Sequence, residues 1–260
     1  MFDDKYRVKI ATRNINIPGV QNFRDLGGYP SYSTKKQMRW GMIYRSAEID
    51  SLECSSRREL KNLGIKTLID LRASSEIGRQ SPLQKGFNVV HIPLATGDME
   101  DILKGIREEK IKSDTVYRMV ERMNRILIDQ YTKEYRQIFD ILLDKNSYPV
   151  VIHCSSGKGR TGIVSALVLA ALGINEDIIM EDYRLSNDYF NIPSASKDAY
   201  QLPARSQEAI TTLFSAREDF LNAAKEEAER RYGDIDSYLQ KGIGLNKDEI
   251  KRLRSILLSD

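Results

Sequence analysis

Cysteine is nearly absent: 260 residues contain two, Cys54 and Cys154, too few for a disulfide framework. Histidine is as scarce, at two residues. No His/Cys/Asp group has metal-ligand spacing, so no metal and no other cofactor is expected. Charge of one sign is not in excess either. Forty basic residues oppose 37 acidic ones, a net of +3, which argues against nucleic-acid binding driven by bulk charge. No apolar run approaches the roughly 18–20 residues of a membrane-crossing helix. The most apolar run, Ile163 to Leu172, is too short, so no integral membrane segment is expected. The opening stretch MFDDKYRVKI lacks the apolar centre of a secretory leader. As it stands the chain reads as cytoplasmic, or as secreted if a leader has been removed. Repeats and low-complexity tracts are missing too.

What remains is ordinary for a globular chain, with 41% hydrophobic and 30% charged residues. Ser55 to Leu63 reads as a short helix stopped at Gly64. Lys66 to Leu71, Asn88 to Ile92 and Val150 to His153 read as strands, with an extended piece at Gly41 to Arg45. These runs are apolar throughout rather than alternating, as in strands covered on both faces. Helical patterns separate them, so the expected class is α/β with a largely parallel central sheet. From Val116 to Leu143 apolar residues recur with helical period over a length that demands a break. Asn175 is placed to cap one helix, and Asn246 with Glu249 to open a final amphipathic one.

Chemistry concentrates in His153 to Gly162, HCSSGKGRTG, between a buried strand and an apolar helix. The loop's amides and the helix start form a nest for a tetrahedral oxyanion, built from Ser155, Ser156, Gly157, Lys158, Gly159 and Gly162. Arg160 can hold two oxygens through its planar fork, and Lys158 adds a second positive charge. The same field favours the Cys154 thiolate, whereas an ordinary thiol is only about 3% ionised at pH 7. Thr161 can donate to that sulfur. His153 reads as ordering the loop rather than as a base. A nucleotide-binding Gly-x4-Gly-Lys-Ser/Thr arrangement is missing.

This loop resembles the HCxxGxxR(S/T) signature of the Cys-dependent phosphatases. More closely, the chain is similar to the atypical bacterial and fungal tyrosine phosphatases, the group of the secreted mycobacterial and listerial dual-substrate enzymes. The blocks that carry the resemblance are NFRDLGGY at Asn22 to Tyr29, GMIYRSA at Gly41 to Ala47, TLIDLR at Thr67 to Arg72, HIPL at His91 to Leu94, the loop, DYRLSNDY at Asp182 to Tyr189 and YGDIDSYL at Tyr232 to Leu239. The resemblance implies a single phosphatase domain over 1–260, with a helical lid or insertion at 98–143 and a helical C-terminal part at 203–260. It also implies hydrolysis of phosphotyrosine proteins, with activity on phosphoserine/threonine or phosphorylated lipid headgroups, through a cysteinyl-phosphate intermediate. One position departs: the family usually has Asp directly before the Arg, where this chain has Gly159. The resulting GKGRTG is similar to the loop of phosphatase-and-tensin-type lipid phosphatases. The missing carboxylate keeps a non-catalytic, phosphate-recognising module open as the alternative.

A proton donor to the leaving oxygen is needed. Related phosphatases carry it on the loop after the strand that precedes the long helical segment, which here follows HIPL. Asp98 is the first candidate, with Asp70 and Asp101 as alternatives and Asp25 more remote. Asp70 also reads as a structural partner of Arg72. Arg24 and Asp25 read either as a rim of the site or as an internal ion pair, Arg45 and Arg72 either as loop contacts or as partners of carboxylates, and His91 as a satisfied core histidine.

Overall fold

In the computed structural model, residues 12–49, 54–77, 86–97, 99–192 and 199–259 are described. The central sheet has the order β1 (Arg24–Asp25), β4 (Ile43–Ser46), β7 (Val150–His153), β5 (Thr67–Asp70), β6 (Asn88–His91). The four strands from β4 to β6 run parallel, and β1 is antiparallel at the edge. Every residue of β4, β5 and β7 is buried, the condition under which a strand carries an unbroken apolar run.

Both faces are covered. On one, α1 (Cys54–Asn62) packs Leu60 with Phe23, Tyr44, Leu68 and Val151. On the other, α5 (Gly159–Ala171) lies in the main core with Leu127 and Ile128 of α3 (Ser113–Gln130), with α4 (Thr132–Leu142) and with the C-terminal helices. The long helical pattern breaks at Tyr131, between α3 and α4, as its length required. Asn175 caps α6 (Glu176–Arg184), and a short α7 (Ser186–Tyr189) follows. The C-terminal part holds α8 (Ala204–Phe214), α9 (Glu218–Tyr232) and α10 (Lys247–Leu257), the last opened by the Asn246–Glu249 capping box. A second, three-stranded antiparallel sheet was not foreseen. In it β3 (Lys36–Met38) lies between β2 (Pro30–Ser31) and the final strand β8 (Leu258–Ser259), tying the chain's end to its beginning.

A third apolar cluster stands apart from these cores. It joins Ile102 and Ile106 of α2 (Met99–Arg107) to Val116 of α3 and to Ala209, Ile210 and Leu213 of α8. The helical segment expected as a lid thus divides between two clusters: α4 and the end of α3 belong to the main core, while α2 and the start of α3 pack with α8, from far along the chain.

Candidate active site

The loop after β7 opens at the carboxyl edge of the parallel sheet, where ligands of such sheets bind. Cys154 closes the strand, and α5 starts at Gly159, so the amides between them face the helix's positive end. Gly157 is fixed by geometry: its φ is +68°, and a Cβ there would lie 2.4 Å from the Ser46 carbonyl oxygen. No residue with a side chain fits without moving β4.

The loop carbonyls are pinned outward. The Asn22 side-chain amide donates to the Ser156 and Gly157 carbonyls at 3.1 Å each, and Arg45 donates to Gly157 O at 2.8 Å. With these oxygens held outside, the amides turn inward, as an anion nest requires. Behind Arg45 lies Asp182, buried in α6. It accepts from Arg45 at 2.6 Å, from Arg24 Nε at 3.2 Å and from the Tyr29 hydroxyl at 3.1 Å. Burial alone would raise the Asp182 carboxyl; Arg24 and Arg45 outweigh it and hold it at about 2. Burial and the neighbouring Arg45 lower Arg24 to about 10, still protonated at neutral pH. Two guanidinium groups against one carboxylate leave a net positive charge beneath the loop.

The Cys154 thiol is buried and not bridged. Burial pushes it up; the Arg160 charge, the Thr161 hydroxyl and the Thr161 and Gly157 amides outweigh that and hold it below the ordinary thiol value. The Thr161 hydroxyl is buried, with no nitrogen or oxygen partner among the described residues, and serves the sulfur. Arg160 is held by a residue the sequence did not single out. Its Nη1 and Nη2 donate to the two carboxylate oxygens of Glu76 at 2.5 and 2.8 Å, and Nη2 also lies 3.2 Å from Ser155 Oγ. Ser155 donates to the same carboxylate at 2.6 Å, and the Ala73 amide at 2.8 Å. Burial raises the Glu76 carboxyl, but Arg160 and Ser155 bring it down to about 2. The Arg160 fork is thus oriented before any ligand arrives.

Other expected residues stand as follows. Lys158, expected as a second cation for the oxyanion, lines the cavity above Cys154 but turns its ammonium elsewhere. Its ammonium is buried, donates to the Phe214 carbonyl and sits 4.4 and 4.8 Å from the Phe190 and Phe214 ring centres. Burial drives it well below the usual lysine range. Gly159 leaves room, since among the described residues a Cβ there would meet only Asn124 Oδ1, at 3.9 Å. Gly162 admits the close approach of Tyr183, whose ring a Cβ would meet at 2.7 Å. Asp70 is locked to Arg72, with Nη2 at 2.6 Å from Oδ2, and its Oδ1 lies 3.9 Å from the buried His153 ring. Burial raises the Asp70 carboxyl, and Arg72 and the neighbouring His153 more than reverse this, holding it below the ordinary carboxylate range. Asp101 is exposed on α2. Asp98 lies outside the described residues, as does the Cys54 side chain. Arg24 and Asp25 are internal but not paired with each other: Arg24 serves Asp182, and Asp25 accepts from the Gly27 and Gly41 amides at 2.7 and 2.6 Å. His91 is exposed at the sheet edge rather than in the core, with Nε2 2.8 Å from the Arg72 carbonyl oxygen. β6 is an edge strand, which explains its exposure.

Above Cys154 is a small cavity of about 70 Å³, walled by Thr96, Met99, Met123, Asn124, Leu213 and the loop. A family model, described as the tyrosine phosphatase family, matches residues 15–259. The chain belongs to the tyrosine phosphatase family. It is 30% identical to the triple specificity protein phosphatase PtpB of Mycobacterium tuberculosis, over 93% of this chain and 98% of that protein. It is 25% identical to a tyrosine-protein phosphatase of Nostoc commune, over 81% of this chain and 72% of the relative. Among solved structures, the catalytic core of the PP-IP phosphatase SIW14 from S. cerevisiae aligns over 71% of this chain and 87% of its own, at 18% identity and a TM-score of 0.36. As a tyrosine phosphatase family enzyme, the chain places the family's loop at the one point where a buried thiol, a clamped arginine and inward amides meet. Glu76 was not singled out by the sequence; its one signal was that residues after parallel strands share one edge of a sheet. Asn22 and Asp182 open two of the blocks that carry the family resemblance, but no role for them was legible there.

Proposed function

We propose that the chain hydrolyses phosphomonoesters, phosphotyrosine in proteins above all, through a phosphocysteine at Cys154. The observation that carries this is the Cys154 thiol held below its ordinary value beside an Arg160 already oriented by Glu76. The thiolate attacks phosphorus, an S–P bond forms, and the ester P–O bond breaks. Arg160 and the loop amides receive the charge on the non-bridging oxygens. The leaving oxygen of tyrosine, a group with pKa of about 10, needs a proton.

Asp98 is our candidate for that donor. Thr96 and Met99, on either side of it in sequence, both line the cavity. Deprotonated, it then takes a proton from the water that attacks phosphorus. The S–P bond breaks, inorganic phosphate departs and the thiolate returns. Asp70, ionised and bound to Arg72, acts as a positioning residue. Phosphorylated lipid headgroups are proposed as further substrates, on the sequence likeness to the triple specificity relative and on the GKGRTG loop.

A cavity of about 70 Å³ is far below the roughly 300–1,000 Å³ of ligand clefts. We therefore read the α2–α3–α8 cluster as a cover that shifts to admit substrate. The test is a panel of phosphopeptides, phosphoinositides and inositol phosphates assayed with wild type, Cys154→Ser, Asp98→Asn and Asp70→Asn. Turnover lost in Cys154→Ser while vanadate still binds supports the reading. Full activity in that variant contradicts it. Failure of the wild type to turn over any of the panel favours the phosphate-recognising module.

A further inference from the structure

The far end of α5 carries a second concentration of positive charge that the catalytic reading does not use. A cleft of about 670 Å³ lies between the β2–β3 hairpin and α10, within the size range of ligand sites. Five cations line it, Lys36, Arg39, Lys247, Lys251 and Arg254, against one acid, Asp236. The whole chain is nearly balanced, at 40 basic to 37 acidic residues, so this ratio is local. Its origin is periodicity: positions 247, 251 and 254 are i, i+4 and i+7 on α10, one stripe of the helix. The opposite face of α10 buries Leu253, Ile256 and Leu257 in the main core, so the stripe is held toward the hairpin.

Two further facts fix the character of this face. Arg254 Nε donates to the Ala171 carbonyl at 2.8 Å, the last residue of α5, while Cys154 lies before its first turn. Thirteen residues of helix separate them, roughly 20 Å at 1.5 Å per residue. A group bound in the cleft cannot also occupy the catalytic cup. The turn between β2 and β3, which also supplies the cleft-lining Thr34, exposes Tyr32, 66% accessible, one of three large exposed apolar residues among those described. Exposed tyrosine and clustered lysine and arginine are residue types found at anionic lipid surfaces.

We propose that this cleft is a second anion site that takes clustered phosphate groups of a phosphorylated headgroup, separate from the catalytic loop. Bound there, the enzyme presents its catalytic mouth away from the anchoring phosphates. The test uses the full chain with vanadate in the catalytic loop. One arm is sedimentation with phosphatidylcholine vesicles carrying phosphatidylinositol bisphosphate. The other is binding of soluble inositol hexakisphosphate.

The expected result is binding in at least one arm, weakened about tenfold or more by Lys247→Glu with Lys251→Glu. Hydrolysis of p-nitrophenyl phosphate by that variant should match wild type. Binding to vesicles alone assigns the site to lipid headgroups. Binding to the soluble compound alone assigns it to free polyphosphates. The neutral pair Lys247→Gln with Lys251→Gln should show a smaller loss of the same kind, and it serves as the test if the reversed pair fails to fold. No binding in either arm, or binding unchanged in both pairs, overturns the proposal.

Discussion

The two ends of α5 are both positive, and they are built in opposite ways. At its start, every cation is buried and held by a carboxylate or a carbonyl: Arg160 on Glu76, Arg45 and Arg24 on Asp182, Lys158 on Phe214. At its end, the cations line an open cleft with a single acid among them; Arg254 and Arg39 each donate to a backbone carbonyl there, but the stripe stays at the surface. Buried and oriented charges act strongly over one phosphate and need no rearrangement as charge develops. Charges lining open solvent are screened and act mainly by attraction. The same sign of charge therefore serves chemistry at one end and recruitment at the other, and substitutions should separate the two.

The largest effect belongs to the sulfur. Cys154→Ser should reduce phosphomonoesterase turnover at least a thousandfold, since a lost nucleophile removes the whole covalent route. Vanadate affinity should stay near wild type, because the amides and Arg160 remain. Tight binding without turnover is the signature to look for in parallel activity and calorimetric measurements. Asp98→Asn comes next, with an expected loss of about 10²–10⁴ on phosphotyrosine peptides. The loss should shrink on esters with more acidic leaving groups, and an equal loss on both would remove Asp98 as proton donor.

Much of this was legible in advance. The parallel sheet, the need for a break somewhere between Val116 and Leu143, the caps at Asn175 and Asn246 and the loop itself all follow from short-range pattern. Local spacing determines them, so one sequence suffices. The partnerships that support the loop were not legible, even where the residues stand in blocks that carry the resemblance. Asn22 lies 134 residues from the Ser156 carbonyl it holds, Glu76 lies 84 residues from Arg160, and Asp182 lies 137 residues from Arg45. No local period marks such partners. The surroundings of Lys158 were hidden for a related reason: its spacing in the loop suggests a phosphate ligand, while Phe190 and Phe214, from distant parts of the chain, lie against its ammonium. The β2–β3–β8 sheet escaped because its strands are two or three residues long.

The support shell provides smaller and sharper tests of the contrast. Glu76→Gln leaves the shape but removes the charge that orients the Arg160 fork. We expect kcat/KM to fall roughly ten- to a hundredfold, with weaker vanadate binding. No change would mean that Arg160 is oriented without Glu76.

The smallest effect is on stability. Asp182 sits at about 2, below the usual 3.8. Its contribution is therefore present above pH 3.8 and is lost as pH falls from there to about 2. Roughly 2 kcal/mol is at stake. Thermal unfolding of wild type should decline through that window, and Asp182→Asn should flatten the decline while lowering stability at neutral pH. Charge changes in the open cleft at Lys247 and Lys251 should leave this profile untouched.

The most direct test is the ionisation of one thiol. The ultraviolet absorbance of thiolate, followed against pH in wild type and in Cys154→Ser, isolates Cys154 by difference. The midpoint is expected below the roughly 8.5 of a free thiol, rising when Glu76→Gln loosens Arg160. A midpoint at or above that of a free thiol would contradict the account, since the cup would then not be holding an anion at all.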